Sequence, residues 1–238
     1  MKVIAIPHRS RCKPCGAVIV AAGSASRMQG VDKIMAPLQG TPVIVHTVRA
    51  FQLASAIQEI VVVTRPELVK PITVLCRQAG LEKLRTVLPG GKTRQESVRL
   101  GLAALSGRQE LAAIHDGARP LVSPTLIQKT VLAASQSGAA APAIAVKDTI
   151  KIAKNGLVQQ TPDRSTLYAV QTPQVFDYDL LCGALAKAER DGATLTDDCS
   201  AVERLGVPVR LVEGEERNLK ITTRLDLALA QWIREELE

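Results

Sequence analysis

The chain has 238 residues, of which 46% are hydrophobic and 22% are charged, a composition typical of a globular protein rather than a disordered one. No apolar stretch approaches the roughly 18 to 20 residues that span a bilayer, so a membrane protein is not expected. The net charge of +7 favours polyanionic partners. Because only 2% of the residues are aromatic, stacking of single-stranded bases is disfavoured, and nucleotides or phosphorylated metabolites are expected instead of nucleic acid.

The amino-terminal segment MKVIAIPHRSRCKPCG contains only a four-residue apolar run before Pro7, which is too short for a secretory signal. A cytoplasmic protein is therefore expected. The five cysteines are odd in number and scattered, which argues against a disulfide framework. Cys12 and Cys15 form a CxxC pair, but the sequence has no second pair at the spacing of a zinc site. A redox CxxC motif would lie at the start of a helix, whereas this pair precedes a predicted strand. The pair is interpreted as incidental.

Apolar runs alternate with helical stretches along the chain, which is typical of a parallel sheet buried on both faces. Helix starts are predicted at Thr41-Pro42 and Ser123-Pro124, where a hydroxyl precedes a proline, and at Thr223, which forms a capping-box pattern with Asp226. We predict an α/β fold with a single doubly wound, mostly parallel sheet, forming one domain over residues 1–238. The predicted strands are 17–22, 59–64, 85–89, 111–116, 139–146 and 207–214.

One segment departs from this alternation. Asn155-Gly156 lies between two short alternating stretches and is a strong signal for a two-residue hairpin. The hairpin carries few large apolar side chains, so we expect it to project from the body and to meet a partner subunit. This predicted dimerisation arm covers about residues 147–165.

In a doubly wound sheet, ligands bind at the carboxyl ends of the strands. The segment after the first predicted strand, AAGSASRMQGVDK, matches neither the P-loop pattern nor the dinucleotide fingerprint. It is nevertheless rich in residue types that bind phosphate, as are the segments after the other strands. The candidates are Gly23, Ser24, Ser26, Arg27 and Lys33; Gly90, Gly91, Lys92, Arg94 and Ser97; Asp116 and Arg119; and Thr196, Asp197 and Lys220.

The residues available for proton transfer are few. His8, His46 and His115 are the only histidines; His46 is expected to be structural, and His115 is expected to point to the face opposite Asp116. No Ser/His/Asp or Cys/His arrangement is evident. A nucleophile that is already an anion needs no base, and phosphoryl or nucleotidyl transfer can proceed through positioning, a carboxylate-held Mg²⁺ and Arg or Lys clamps. The arginines, lysines and aspartates at the predicted strand ends fit such a reaction.

Seven motifs taken in chain order carry a resemblance to a known family. They are AAGSASRMQGVDK, PGGKTRQESV, HDGARP, VKDTIK, DRSTLYAVQTPQVF, GATLTDD and EGEERNLKIT, and together they closely resemble the 2-C-methyl-D-erythritol 4-phosphate cytidylyltransferases of the non-mevalonate isoprenoid pathway. The resemblance covers the chain from Gly16 onward. It implies a Rossmann-like nucleotidyltransferase fold and a homodimer. It also implies Mg²⁺-dependent transfer of CMP from CTP to the polyol phosphate, with release of pyrophosphate.

The resemblance also assigns roles to residues. It implies that Arg27 and Lys33 grip the triphosphate and stabilise the transition state, that Lys220 contacts the α-phosphate, and that Asp116 holds Mg²⁺. It places the nucleotide on Ala22, Gly23, Ser24, Gly90, Gly91, Ser97, Asp116 and Gly117. It places the methylerythritol phosphate on Arg119, Thr149, Arg164, Thr172 and Thr196, with Thr149 and Arg164 on or beside the arm of the opposite subunit.

Two positions depart from the family pattern. Asp32 stands where proline usually precedes the lysine, and its carboxylate would repel a triphosphate unless it points away or meets the metal. Lys92 stands where an acidic residue is common, at a position expected to act through its backbone. Two other functions stay open at this point: a ribitol-5-phosphate cytidylyltransferase, which shares the nucleotide motifs, and a nucleotide-binding regulator that does not turn over.

Overall fold

A computed structural model describes residues 13–23 and 32–236. Within these residues strands and helices alternate along most of the chain. The strands are β1 (Cys15–Ala21), β2 (Pro37–Leu38), β3 (Thr41–Pro42), β4 (Ile57–Thr64), β5 (Leu84–Pro89), β6 (Leu111–Asp116), β7 (Ala139–Ala145), β8 (Ile152–Lys154), β9 (Leu157–Gln160), β10 (Tyr168–Val170), β11 (Gln174–Asp177) and β12 (Arg210–Glu213). The helices are α1 (Val43–Leu53), α2 (Val69–Gln78), α3 (Arg94–Ala104), α4 (Pro124–Ser137), α5 (Tyr178–Arg190), α6 (Asp198–Glu203) and α7 (Arg224–Glu236).

The main sheet has the strand order β10-β7-β11-β6-β1-β4-β5, and β12 also pairs with β7. Strands β1, β4, β5 and β6 are parallel, and β12 is parallel to β7. The predicted mostly parallel sheet is confirmed. Each predicted strand overlaps an observed strand, and their ends differ by at most three residues. Strand β11, which runs antiparallel between β6 and β7, was not predicted.

Both faces of this sheet are covered. Along β1, Ala17 and Ile19 join one core and Val18 joins the other, because successive strand residues point to opposite faces. The first core is completed by α1, α2 and α4, and the second by α3, α5 and α6. This arrangement confirms the doubly wound architecture and explains why the strands are continuous apolar runs. Among the described residues, no helix combines the length and apolarity needed to cross a membrane.

Two of the three predicted helix starts are confirmed. Ser123 accepts a hydrogen bond from the Leu126 amide at 3.0 Å, and Pro124 occupies the first helical position of α4. Thr223 and Asp226 form the reciprocal pair of a capping box before α7: the Thr223 amide donates to the Asp226 carboxylate at 2.8 Å, and the Asp226 amide donates to the Thr223 hydroxyl at 3.3 Å.

The helix start predicted at Thr41-Pro42 is one residue early, and the predicted capping hydroxyl of Thr41 is wrong. These residues form β3, which pairs with β2, and α1 begins at Val43 without a side-chain cap. The first two amides of α1 instead donate to main-chain carbonyls of the preceding turn, Val43 to Ala36 and Ile44 to Ile34, each at 3.0 Å. Because these amides are already satisfied, the helix does not need a capping hydroxyl.

The predicted hairpin at Asn155-Gly156 is confirmed. Strands β8 and β9 pair antiparallel, and the two turn residues have φ values of 52° and 78°, in the left-handed region that this turn requires. Every residue of both strands is exposed. The exposed side chains include Ile152, Leu157 and Val158, so the hairpin presents more apolar surface than the sequence interpretation assumed.

Candidate active site

A cavity of about 460 Å³ opens at the carboxyl ends of β1 and β6. This is the edge at which ligands bind in doubly wound sheets. Four cationic side chains and one carboxylate line it, together with small residues of the two glycine-containing loops. The lining residues are Val20, Ala21, Ala22, Gly23, Lys33, Ile34, Gly91, Lys92, Thr93, Arg94, Ser97, Asp116, Ala118 and Lys220.

Asp116 is the electrostatic centre of the cavity. Its carboxylate lies 2.9 Å from Lys220 Nζ, 3.6 Å from Arg119 Nε and 3.9 Å from Arg94 Nη2. Burial alone would raise the pKa of Asp116, but these three cations outweigh it and lower the pKa to about 2. Asp116 is therefore ionised at neutral pH, and the cations around it leave the site with an excess of positive charge, which suits a polyphosphate.

A buried hydrogen-bond chain lies behind Asp116. The Asp116 amide donates to the Thr172 hydroxyl at 3.1 Å, and this hydroxyl lies 3.0 Å from Nδ1 of His115, whose Nε2 lies 3.3 Å from the Arg119 carbonyl. A neutral His115 protonated at Nε2 satisfies all of these groups, since Thr172 then donates to Nδ1. Burial lowers the pKa of His115 to about 3, so the ring is neutral and is not a base. The sequence interpretation of His115 is confirmed: its ring packs against Phe51 of α1, whereas Asp116 faces the cavity.

The loop between β5 and α3 forms one wall of the cavity and depends on its glycines. A Cβ at Gly90 would lie 2.6 Å from Ala22 Cβ and 2.9 Å from Ser97 Oγ, so only glycine lets this loop approach the end of β1. The Gly91 amide donates to Ser97 Oγ at 3.1 Å. Thr93 caps α3 by accepting a hydrogen bond from the Glu96 amide at 3.1 Å.

Arg94 connects this wall to α6. Its guanidinium donates two hydrogen bonds to Asp198, at 3.0 and 2.7 Å, in the bidentate geometry that arginine and carboxylate favour. Burial lowers the pKa of Arg94, but Asp198 outweighs this effect and the net shift is upward. The preceding residue, Asp197, caps α6 and accepts a hydrogen bond from Gln174 Nε2 at 2.7 Å.

Lys33 lies in the turn between β1 and β2 and lines the same cavity as the β5–α3 loop. The carboxylate of its neighbour Asp32 forms an ion pair with Arg65, which follows β4. Asp32 therefore does not stand as an isolated negative charge beside the cavity. Of the two alternatives raised by the sequence, these contacts favour a carboxylate that points away from the cavity, since Asp32 pairs with Arg65 and does not line the cavity.

The predicted site residues fall into four groups. Ala22, Gly23, Lys33, Gly91, Ser97, Asp116 and Lys220 line the cavity, and Gly90 packs directly behind it. Arg119 and Thr172 lie behind Asp116, and Gly117 packs against Ala21, donating its amide to the Val20 carbonyl at 2.8 Å. Thr149, Arg164 and Thr196 are exposed and do not line the cavity. Ser24, Ser26 and Arg27 lie outside the described residues, as do His8 and Cys12.

His46 and Cys15, which the sequence analysis also interpreted, lie outside the cavity. His46 lies within α1, and its Nε2 is 2.8 Å from the Leu38 carbonyl; burial lowers its pKa, which agrees with a structural role. Cys15 is buried in β1. Among residues 13–23 and 32–236, no group of three or more His, Cys, Asp or Glu side chains could hold a metal ion.

Comparison with known proteins agrees with this geometry. The sequence matches the family model described as 2-C-methyl-D-erythritol 4-phosphate cytidylyltransferase over residues 15–236. The chain belongs to this family. A relative of the same name from Desulforamulus reducens is 46% identical over 222 residues, covering 90% of this chain and 93% of the relative.

Solved structures of the family share the fold. A crystal structure of 4-diphosphocytidyl-2C-methyl-D-erythritol synthase from Anaerococcus prevotii superposes with a TM-score of 0.83 at 32% identity, covering 94% of this chain and 96% of that chain. The 2-C-methyl-D-erythritol 4-phosphate cytidylyltransferase from Thermus thermophilus gives a TM-score of 0.77 at 35% identity, covering 92% and 98% of the two chains. The expected nucleotidyltransferase fold is confirmed.

Sequence reasoning missed several residues that build the site. Thr93 had a readable signal, because Thr93 and Glu96 have capping-box spacing. Asp198, Gln174 and Asn218 had none, since their partners Arg94, Asp197 and Arg119 are distant in sequence. Arg65 was missed for the same reason, although it directly follows a predicted strand.

Proposed function

We propose that this cavity transfers CMP from CTP to 2-C-methyl-D-erythritol 4-phosphate, giving 4-diphosphocytidyl-2-C-methyl-D-erythritol and pyrophosphate, a step in the biosynthesis of isoprenoid precursors. Membership of the cytidylyltransferase family supports this activity. The observation that carries the proposal is that Lys33, Lys220 and the carboxylate of Asp116 line one cavity at the carboxyl edge of the sheet. We further propose that the enzyme acts in the cytoplasm, where its nucleotide substrate is available.

The reaction needs no side chain to generate the nucleophile. An oxygen of the polyol phosphate attacks the α-phosphorus of CTP; the new O–P bond forms as the bond to the β-phosphate oxygen breaks, and pyrophosphate leaves with the electron pair. A phosphate monoester is largely dianionic at neutral pH, because its second pKa is about 6. The absence of a basic histidine from the described part of the cavity agrees with this chemistry, since both ring nitrogens of His115 are engaged.

The cations of the cavity provide the stabilisation that the reaction requires. Negative charge is spread over the phosphate oxygens in the transition state. Preorganised cations therefore stabilise the transition state more than they stabilise the bound substrates. Lys33 is assigned to the triphosphate, together with Arg27, and Lys220 to the α-phosphate. Lys220 is already held at the reacting edge by Asp116, at 2.9 Å.

Asp116 and the phosphate oxygens of CTP are assigned as ligands of a divalent cation, Mg²⁺. The residues fit this role, because Asp116 lines the cavity and its lowered pKa keeps it ionised. Mg²⁺ is commonly bound by one or two carboxylates together with substrate phosphates. When bound, the ion would neutralise charge on the triphosphate and favour departure of pyrophosphate.

The polyol phosphate is assigned to Arg119, Thr172 and Thr196 of one subunit and to Thr149 and Arg164 of the partner, within a homodimer formed through the arm. In support, Thr149 and Arg164 are exposed and lie beside the hairpin. Arg164 donates a hydrogen bond to the Lys147 carbonyl at 2.8 Å, which ties its segment to the base of the arm.

The decisive experiment measures pyrophosphate release by the purified protein with CTP, Mg²⁺ and one polyol phosphate at a time. We expect turnover with 2-C-methyl-D-erythritol 4-phosphate and a kcat/KM at least about tenfold lower with ribitol 5-phosphate, the difference that about 1.4 kcal/mol of discrimination produces. Replacing CTP with ATP controls for nucleotide selectivity.

Two results would contradict the proposal. Faster turnover with ribitol 5-phosphate would assign the chain to the alternative polyol substrate. Tight CTP binding by calorimetry, without pyrophosphate release from either polyol phosphate, would instead indicate a nucleotide-binding regulator.

A further inference from the structure

Arg65 contacts Gly23 and Asp32, the two described residues that flank positions 24–31. On one side its Nη1 donates to the Gly23 carbonyl at 3.3 Å, just after β1. On the other side its Nη2 forms an ion pair with the Asp32 carboxylate. Arg65 directly follows β4, which is the neighbour of β1 in the sheet. It therefore links Gly23 and Asp32 to the carboxyl end of β4.

Asp32 in turn organises the turn that holds Lys33. Its Oδ1 accepts a hydrogen bond from the Ile34 amide at 3.0 Å, and its carbonyl accepts from the Met35 and Ala36 amides at 3.1 and 2.7 Å. The side chain of Ile34 is buried in the first core, which anchors the turn from below. Lys33 therefore lies in a turn that is held by the hydrogen bonds of Asp32 and by the burial of Ile34 in the core.

The Asp32–Arg65 pair is suited to hold this turn firmly. Only 26% of the Asp32 side chain and 24% of the Arg65 side chain are exposed, so solvent screens the pair less than an ion pair on the open surface. Arg65 also donates to Glu67 at 2.8 Å, and this third contact orients the guanidinium from the solvent side. Partner oxygens on three sides fix the planar group more closely than one ion pair could.

We infer that Asp32 and Arg65 are positioning residues for Lys33. Their pair fixes the turn so that the Lys33 ammonium faces the triphosphate, and Arg65 neutralises the Asp32 carboxylate, which would otherwise oppose both the lysine and the phosphates. This inference rests on the proposed function. It accounts for an acidic residue at a position where the family pattern usually has proline, since an aspartate paired to an arginine can restrict the turn in another way.

The test compares Asp32→Ala, Asp32→Asn and Arg65→Gln with the unmodified protein, each alone and combined with Lys33→Ala. Glu67→Gln is the matched control, because it removes the charge of an Arg65 partner whose side chain is 64% exposed but keeps an oxygen that can accept the hydrogen bond from Arg65. Asp32→Asn retains an oxygen for the Ile34 amide but loses the ion pair, which separates the turn contact from the charge. Thermal unfolding of each variant identifies any general loss of stability.

We expect Asp32→Ala and Arg65→Gln to lower kcat about 10- to 100-fold, the effect of misplacing a catalytic group by about 1 Å, with little change in the KM for CTP. In the Lys33→Ala background the same substitutions should have almost no further effect, because the group that they position is absent. Additive losses in that background, or an equal loss in Glu67→Gln, would overturn the inference.

A second measurement does not depend on turnover. Lys33 is acetylated with acetic anhydride in the presence and absence of CTP, and the modified fraction is quantified by mass spectrometry. We expect CTP to protect Lys33 in the unmodified protein and at least about threefold less in Asp32→Ala and Arg65→Gln, because a displaced lysine meets the triphosphate less often. Equal protection in all three proteins would overturn the inference. Absence of turnover by the unmodified protein, with protection intact, would contradict the proposed reaction instead.

Discussion

Lys220 Nζ lies 2.9 Å from Oδ2 of Asp116, so a lysine before α7 and an aspartate at the end of β6 meet at the carboxyl edge of the sheet. Each group constrains the other. Lys220 contributes to the low pKa of Asp116, and Asp116 holds a flexible side chain in the cavity. In the proposed reaction, the pair would combine a charge for the α-phosphate with a carboxylate for a metal ion at one point.

Replacing Asp116 with asparagine should separate these roles. We expect Asp116→Asn to lower kcat/KM about 100-fold and to raise the Mg²⁺ concentration needed for half-maximal rate about tenfold, because a neutral amide binds a hard cation poorly. Magnesium titration of the initial rate gives both values. Glu96→Gln is the control, since it changes another carboxylate near the cavity, which accepts a hydrogen bond from the Lys92 amide. An unaltered Mg²⁺ dependence of Asp116→Asn would remove it from the metal site.

Lys33 should matter more for the rate than for nucleotide binding. We expect Lys33→Ala to lower kcat about 100- to 1,000-fold while the Kd for CTP changes only a few fold, because its charge is needed most in the transition state. Lys92→Ala is a matched control: Lys92 lines the same cavity but is expected to act through its backbone. Steady-state kinetics and calorimetry separate the two quantities. A similar loss in both variants would indicate a general electrostatic effect.

The predictable part of the fold is the part set by local sequence. Continuous apolar runs identified six strands, and the hydroxyl of Ser123 before a proline marked the start of α4. The same signal failed at Thr41, because main-chain carbonyls of the preceding turn satisfy the first amides of α1. Strand β11 was missed because it has only four residues and because its pairing with β6 and β7 is set by tertiary structure.

The predictable part of the site is the set of residues at the strand ends. Lys33, Gly91, Asp116 and Lys220 were placed together correctly, because carboxyl ends of parallel strands share one edge. Contacts that join distant parts of the chain were not predictable. No sequence pattern pairs Asp32 with Arg65, since the two residues meet only through the neighbouring strands β1 and β4.

His115 should make stability depend on pH. In the unfolded chain its pKa is near 6.5, whereas burial lowers it to about 3 in the folded protein. Between these values the unfolded state binds more protons, so the free energy of unfolding falls as the pH falls, by about 3 kcal/mol from pH 6.5 to pH 4. Urea unfolding across this range should show a shallower slope for His115→Gln. The same slope in both proteins would show that His115 is not the group responsible.

The arm should determine both assembly and polyol-phosphate binding. Leu157 and Val158 are 69% and 59% exposed, so replacing both with aspartate should leave the folded body intact while opposing association through apolar contact. We expect a monomer by light scattering and a KM for the polyol phosphate raised about 10- to 100-fold, with CTP binding unchanged. Leu225→Asp, at a leucine of α7 that is 77% exposed, is the control. A dimeric double variant with normal kinetics would contradict the assignment of the arm.

Two helical glycines should respond oppositely to alanine. A Cβ at Gly101 of α3 would overlap Val18 and lie 2.9 Å from Val63 Cγ2, whereas a Cβ at Gly183 of α5 would meet no atom within 4 Å. We expect Gly101→Ala to lower the free energy of unfolding by about 1–3 kcal/mol through overpacking. We expect Gly183→Ala to raise it by about 0.5–1 kcal/mol, because alanine loses less backbone entropy in a helix.

Urea unfolding followed by circular dichroism measures both changes, and each glycine serves as the control for the other. Activity adds a second readout, because α3 carries Arg94 and Ser97 at its amino-terminal end. If the sheet beneath Gly101 is rigid, α3 must move outward to accept the methyl group, and these residues move with it. Gly101→Ala should therefore lower kcat/KM for CTP, whereas Gly183→Ala should leave it unchanged. A stable Gly101→Ala variant with normal kinetics would show that α3 is not packed this closely on β1 and β4.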